Sequence, residues 1–247
     1  MVAGVYDMRL ISIFALAISL GVTNANAAEE IGEAATARNE VTGTLGDLVR
    51  TIGAGDPVSG SEIVRTGVNS ATLLKFLDDS NLNIGASSTV VLDRFVYDPS
   101  GSADSAVINL TKGAMRFVTG HSDPARFQIK TQVATLGIRG TDFVAICDGS
   151  ERCAVVVAKG IVRVCPRPDL PVDCDTAYDL DKVENFTIVG PNGENAGQKS
   201  ISAGLVAAVV RAVAMGQDGL TIARIESGNL YDVDIPTIGK SISVSPN

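Results

Sequence analysis

The chain has 247 residues, of which 45% are hydrophobic, and its formal net charge at pH 7 is −8. This much apolar material is enough to bury a core, and the negative charge argues against nucleic-acid binding because phosphate-binding surfaces are usually basic. The composition indicates a globular protein with one domain and an appendage, or with two small domains.

The first residues have the layout of a secretory signal peptide. Arg9 precedes an apolar run from Leu10 to Leu20, and the small-residue motif "ANA" follows at 25–27, which predicts export and cleavage before Ala28. The alternative is a retained membrane anchor, but the run is shorter than the ~20 residues that span a bilayer. We therefore expect a signal peptide at 1–27, no membrane span in the mature chain, and a periplasmic or extracellular protein.

Residues 28–190 are predicted to form an all-β body. Segments such as "RFQIKT", "TDFVAIC" and "CAVVVAKG" alternate in polarity or form short apolar runs, and turn residues separate them. Many such segments at a spacing of about 8–12 residues are typical of an all-β sandwich or barrel-like fold. The sequence does not have the alternating strand–helix rhythm of a nucleotide-binding sheet.

The character of the chain changes after this body. Residues 191–198 are rich in Gly, Asn and Pro and are predicted to be a linker, and 199–247 are expected to hold one helix and one or two further strands. The helix is indicated by the alanine-rich run "SAGLVAAVVRAVAM", with Ser200 or Ser202 as its N-cap. Because this helix is so apolar, we expect it to dock on the β body rather than on a membrane surface.

All four cysteines lie in one short region, at Cys147, Cys153, Cys165 and Cys174. In an oxidising compartment an even number of clustered cysteines indicates disulfides, and four cysteines allow three pairings. We favour Cys147–Cys153 and Cys165–Cys174, because each of these pairs closes a short turn or loop. The alternative is a four-thiolate zinc site, but neither close pair has the C-x₂₋₄-C spacing that zinc motifs prefer.

The stretch "TLGIRGTDF" at 135–143 raises the question of a phosphate-binding loop. It has neither the spacing of a P-loop nor the context of a dinucleotide fingerprint, because the residues after Gly140 alternate like a strand. We expect Gly137 and Gly140 to permit a close backbone approach or a bulge instead. A faint internal repeat, "LTKGAMRFV" and "VAKGIVRVC", predicts two similar hairpin corners at Gly113 and Gly160.

Candidate catalytic and metal-binding residues are few. His121 is the only histidine, so paired-histidine metal motifs are ruled out, and a Ser-His-Asp triad would have to use it. Asp78 and Asp79 lie in the turn "LDDSN", where an aspartate caps its own backbone. The acidic loop 169–181 carries ligands that suit Ca²⁺, but not in the order that a calcium loop needs. We therefore expect no catalytic residue, no metal and no cofactor.

Four segments together resemble a known family. "GSEIVRTGVNSATLLKFLDDSNLNIGASSTVVLDRF", "LTKGAMRFVTG", "FQIKTQVATLGIRGTDFVA" and "AVVVAKGIVRV" resemble the FecR domain over about residues 60–164. The resemblance implies an extracytoplasmic β domain without catalysis. In the namesake protein a similar region receives a signal from an outer-membrane transporter loaded with ferric citrate, and a membrane helix relays it to a cytoplasmic segment that controls a sigma factor. This sequence shows neither that helix nor that segment, so sigma-factor control is not expected, and the resemblance alone does not imply iron sensing.

The sequence thus predicts a mainly β protein, with an antiparallel β-sandwich or β-roll-like FecR domain, one C-terminal helix and one or two extra strands. We expect an exported, non-catalytic binding or signal-coupling module of the bacterial envelope, whose partner is an envelope protein or a cell-surface component. The turns with Arg139, Asp78, Asp79 and His121 are the candidate contact points, since loops commonly carry function. The alternatives are a scaffolding envelope protein without a diffusible ligand, and a hydrolase with an unrecognised site.

Overall fold

The computed structural model describes residues 29–149, 151–195 and 197–228 of the chain. The signal peptide predicted for 1–27 lies outside these residues. So does most of the segment that was expected to hold the last strands.

The described residues are mainly β, as predicted. Fifteen strands form one hydrogen-bonded sheet, which is mixed because β9 and β10 pair in parallel. A short 3₁₀ helix at Pro124–Arg126 precedes β10. The strands are β1 Glu30–Arg38, β2 Val41–Leu45, β3 Leu48–Thr51, β4 Pro57–Ser59, β5 Glu62–Thr66, β6 Ala71–Phe76, β7 Asn81–Ile84, β8 Thr89–Tyr97, β9 Ala103–Val118, β10 Phe127–Thr131, β11 Thr135–Cys147, β12 Cys153–Cys165, β13 Tyr178–Leu180, β14 Asn185–Val189 and β15 Lys199–Ser200.

Three long strands, β9, β11 and β12, run through two halves of this sheet. In β9, residues 103–112 pair with β8, whereas residues 113–118 pair with β11. In β11, the register with β12 shifts between Arg139 and Asp142, which is the signature of a β-bulge. The sheet therefore folds back on itself, with β2, β3, β5, β8, β10 and β13 in one half and β1, β4, β6, β7, β14 and β15 in the other.

The three long strands bend at glycine. Gly113, Gly140 and Gly160 have φ values of 88°, 62° and 80°, a region that residues with a side chain seldom adopt. A Cβ on Gly160 would collide with the carbonyl oxygen of Gly140, so the bends of β11 and β12 pack directly on each other. Gly113 and Gly160 thus lie inside long strands and not at hairpin corners, which corrects the expectation drawn from the repeat.

Gly137 has a different role from the bend glycines. It lies before the bulge in β11, and a Cβ there would meet Cγ2 of Val172 at 2.6 Å. The absence of a side chain lets the loop after β12 approach the strand closely.

The two halves enclose the main core. Period-two alternation in β9 turns Ile108 and Leu110 inward, and rings from opposite halves meet there. The ring centroids of Phe76 and Phe95 are 5.0 Å apart, and those of Phe117 and Phe127 are 5.2 Å apart. Because a fully buried side chain of this size contributes about 1.5–3 kcal/mol, these contacts hold the halves together.

The outer face of one half is covered by two helices, α1 Ala203–Met215 and α2 Ile222–Ser227. Ser202 caps α1, since its side chain accepts a hydrogen bond from the Leu205 N–H at 3.2 Å. Val209 and other small apolar residues of α1 pack on the outward side chains of β11, β12 and β14. The predicted docking of this helix on the β body is therefore confirmed. No helix in the described ranges is long and apolar enough to cross a membrane.

The second helix lies where a strand was expected. Thr221 accepts a hydrogen bond from the Arg224 N–H at 3.4 Å, which caps the helix, and Ile222 and Ile225 are both buried on the sheet. A cap followed by apolar residues three apart favours a helical turn. The expectation of a strand is therefore wrong at 222–227.

Both favoured disulfides are present. Cys147–Cys153 joins β11 to β12 at the tip of their hairpin, with the Cα atoms 4.1 Å apart, and Cys165–Cys174 closes the acidic loop, with the Cα atoms 5.9 Å apart. The first pair follows from the strand register, because Cys147 and Cys153 are direct partners across the ladder.

Replacing Gly140 tests the need for a positive φ at the bend. Nothing lies within 4 Å of a Cβ at this position, so the cost of Gly140→Val comes from backbone strain, about 1–3 kcal/mol. Gly140→Asn is the matched control and should cost less, because asparagine tolerates this conformation better. The measurement is the free energy of unfolding in denaturant, and a valine variant as stable as the original protein would contradict the assignment.

Candidate functional site

Three of the four candidate contact residues lie together where strand β6 ends, strand β7 begins and strand β9 ends. The carbonyl oxygen of Asp78 accepts a hydrogen bond from the His121 N–H at 2.9 Å, and the Gly120 N–H donates to the Ser80 hydroxyl at 2.9 Å. Nδ1 of His121 lies 3.6 Å from Oδ2 of Asp79. We call this group, formed by 78–80 and 119–121, the His121 corner.

The two neighbouring aspartates of the His121 corner have different roles. Asp78 is fully buried, and its carboxylate accepts hydrogen bonds from the N–H and the hydroxyl of Ser80, at 3.1 and 2.8 Å. Asp79 is exposed, and its Oδ1 lies 2.8 Å from Nζ of Lys75. The hydrogen bond and positive charge of Lys75 lower the pKa of Asp79. Asp78 therefore fixes the turn from inside, and only Asp79 presents a carboxylate to a partner.

Tyr97 lies close to the buried carboxylate of the corner. Its hydroxyl is buried and has no hydrogen-bond partner among the described residues. Burial, and then the negative charge of Asp78, raise the pKa of Tyr97 well above its ordinary value. A neutral phenol next to a carboxylate that is already hydrogen-bonded indicates a structural role for both groups.

Arg139 was expected in a turn, but it lies inside strand β11 and pairs with Ile161 of β12. It directly precedes the bulge of β11 and is exposed. The bulge touches the corner, because the Thr119 N–H donates to the carbonyl oxygen of Thr141 at 3.1 Å. The bulge and the His121 corner, which this hydrogen bond joins, therefore carry three exposed charged or polar side chains, those of Arg139, His121 and Asp79.

An ion pair on the outer face was not singled out from the sequence. Nε and Nη2 of Arg116 donate to the two carboxylate oxygens of Asp142 at 2.8 and 2.7 Å. The two-pronged contact with Asp142 raises the pKa of Arg116. The residues are 26 positions apart, so only the pairing of β9 with β11 brings them together.

Two aspartates of the acidic loop contact an arginine of β12 instead of forming a calcium site. Nε of Arg163 lies 2.8 Å from Oδ1 of Asp173, and Nη1 lies 3.0 Å from Oδ1 of Asp179. No cluster of three or more His, Cys, Asp or Glu that could hold a metal ion occurs in the described part of the chain. The carboxylates of Asp173 and Asp179 therefore attach the loop to Arg163.

Residues 62–163 match the family model described as FecR protein, so the resemblance drawn from the sequence is confirmed for this part of the chain. The match covers the strands from β5 to nearly the end of β12 and includes all three bends. The C-terminal helices lie beyond it. None of the curated proteins compared with the chain matches it.

The solved structures that are similar to the chain include two of one kind of protein. Both are crystal structures of a candidate anti-sigma factor from Parabacteroides distasonis, with 20% sequence identity and TM-scores of 0.45 and 0.44. The similarity covers 60% of this chain and 63% and 64% of those chains, which is less than two thirds of their length. A likeness at this level does not identify a function.

Tyr97 should ionise at a higher pH than a free tyrosine, for which the pKa is 10.0. Because its folded pKa is raised above the unfolded value, its stabilising contribution is fully present below pH 10 and is lost as the pH rises through the folded pKa. The measurement is an alkaline titration of tyrosinate absorbance, in which Tyr97→Phe should remove part of the late-ionising signal. If Tyr97→Phe instead removes signal near pH 10, the phenol is not buried as described.

Proposed function

We propose that this protein is an exported, non-catalytic binding or signal-coupling module of the bacterial envelope. The match of residues 62–163 to the FecR family carries this conclusion, because FecR-like proteins act in envelope signalling. The resemblance implies that this region works outside the cytoplasm.

The two disulfides support export. Cys147–Cys153 and Cys165–Cys174 both close short segments of the chain, and such bonds form and persist in oxidising compartments such as the periplasm. The layout of residues 1–27 as a signal peptide points to the same route.

The residues that were weighed as catalytic candidates make structural contacts in this protein. His121 faces Asp79, which is paired with Lys75, and Asp78 is committed to Ser80. These contacts fix a turn and do not converge on one position that a reacting group could occupy. A rigid surface of this kind suits recognition.

The proposed contact surface for a protein partner consists of Arg139, Asp79 and His121, and we call it the contact edge. Its side chains are exposed, yet the backbone that carries them is anchored to the sheet through Thr119 and Gly120. Asp79 and His121 lie on short turns held by a scaffold, as binding residues commonly do, and Arg139 lies at the bulge of β11. Charges at such a rim mainly set orientation and the rate of association.

Affinity capture from envelope extracts tests this function. The original protein should recover one discrete protein partner, and Arg139→Gln and Asp79→Asn should each reduce the recovery, because each removes one exposed charge. Asparagine suits the positive φ of 61° at Asp79, so the fold is preserved. Arg65→Gln, at an exposed arginine on β5, is the matched control and should recover the partner normally.

Three other results would contradict the proposed function. Recovery of bulk cell-wall or surface material alone would favour a scaffolding protein, and substrate turnover that is lost on His121→Gln would favour a hydrolase. Equal loss of the partner in the Arg65→Gln control would remove the assignment of the contact edge.

A further inference from the structure

A cavity of about 200 Å³ lies where the family-matched region meets the C-terminal helices. Four segments form its walls, namely the β7–β8 turn at 85–87, the bend of β9 at 112–114, the tip of the β11–β12 hairpin at 146–149 and the α1–α2 connection at 217–221. The hairpin tip is fixed by the Cys147–Cys153 disulfide. Sites for small ligands often lie at such boundaries between structural units.

Charged side chains of both signs line this cavity. Lys112 comes from β9, Asp148 from the hairpin tip and Asp218 from the α1–α2 connection. Lys112 and Asp148 follow on from Gly113 and Cys147, which are the last direct partners of the β9–β11 ladder, and both line the cavity. Lys112 is exposed at the wall of the cavity.

Asp218 is held in place by the β body. Its Oδ2 accepts a hydrogen bond from the Asn69 N–H at 2.7 Å, and its Oδ1 accepts one from the Ser87 hydroxyl at 3.3 Å. A carboxylate has about four acceptor positions, so two bonds leave capacity for a ligand. Asp148 is fixed at the hairpin tip, where its Oδ1 accepts a hydrogen bond from the Arg152 N–H at 3.3 Å.

The size and charge of the cavity limit what can bind there. Its volume of about 200 Å³ is below the ~300–1,000 Å³ of drug-sized sites, so a ligand has only a few heavy atoms. A purely anionic ligand would meet two carboxylates and a purely cationic one would meet the lysine, whereas a zwitterion finds an opposite charge for each of its groups.

We propose that this cavity binds a small zwitterion of the free amino-acid class. Its carboxylate lies at Lys112, and its ammonium group lies between Asp148 and Asp218. Because these residues belong to both the family-matched region and the α1–α2 connection, the ligand bridges the two parts. This binding does not depend on the envelope partner, so either one can fail without the other.

Calorimetric titration of the purified protein with L-alanine tests this site. We expect saturable binding, which Lys112→Met and Asp218→Asn should each weaken by at least about tenfold. Lys159→Met is the matched control, because Lys159 is the exposed equivalent of Lys112 in the internal repeat, and it should bind L-alanine normally. Lys112→Arg keeps the charge and should retain most of the affinity.

Acetate and methylammonium, each of which carries one charge of the zwitterion, complete the test. Either of them binding as tightly as L-alanine would show a simple anion or cation site and would overturn the proposal, as would unchanged affinity in Lys112→Met. If a variant does not fold, the binding site is instead located from the amide chemical shifts of the original protein during titration with L-alanine. L-Alanine should move the signals of Gly85, Gly113 and Gly219, and unmoved signals would also overturn the proposal.

Discussion

Three neighbouring strands, β9, β11 and β12, bend at Gly113, Gly140 and Gly160, where the backbone takes a positive φ. Each strand pairs with one set of neighbours before its bend and another set after it, so one sheet supplies both walls of the core. Two large rings, Phe117 and Phe127, meet across that core. Because side chains disfavour this backbone conformation, the enclosure depends on residues that contribute no apolar surface themselves.

The bends also determine where the proposed contact surface and the cavity lie. Gly113 is at the edge of the helix-covered half that carries the cavity, and Val118, at the end of the same strand, leads into the His121 corner. The bends of β11 and β12 lie beside that corner, through Thr141 and Thr119. The proposed contact surface and the proposed ligand cavity therefore lie at opposite ends of the paired segments 113–118 of β9 and 142–147 of β11, and helix α1 packs on the outer face of these segments.

Much of this architecture can be read from the sequence, and the exceptions have physical reasons. The β-rich body, both disulfides and the helix capped at Ser202 follow from local alternation, spacing and capping. The Lys-Gly repeat marks the bends at Gly113 and Gly160, but a short window cannot distinguish a bend inside a long strand from a hairpin turn. Burial of Asp78, the pairing of Arg116 with Asp142 and the cavity at Lys112 all depend on contacts between distant strands, which local patterns do not encode.

Native-state hydrogen exchange tests most directly whether the bent strands make one cooperative body. The amides of Ile108 and Leu110 lie before the bend of β9, and those of Met115 and Phe117 lie after it. If both halves share one core, these amides should exchange with the same free energy of opening and the same dependence on denaturant. Two separate free energies, one for each side of Gly113, would contradict a single enclosed core.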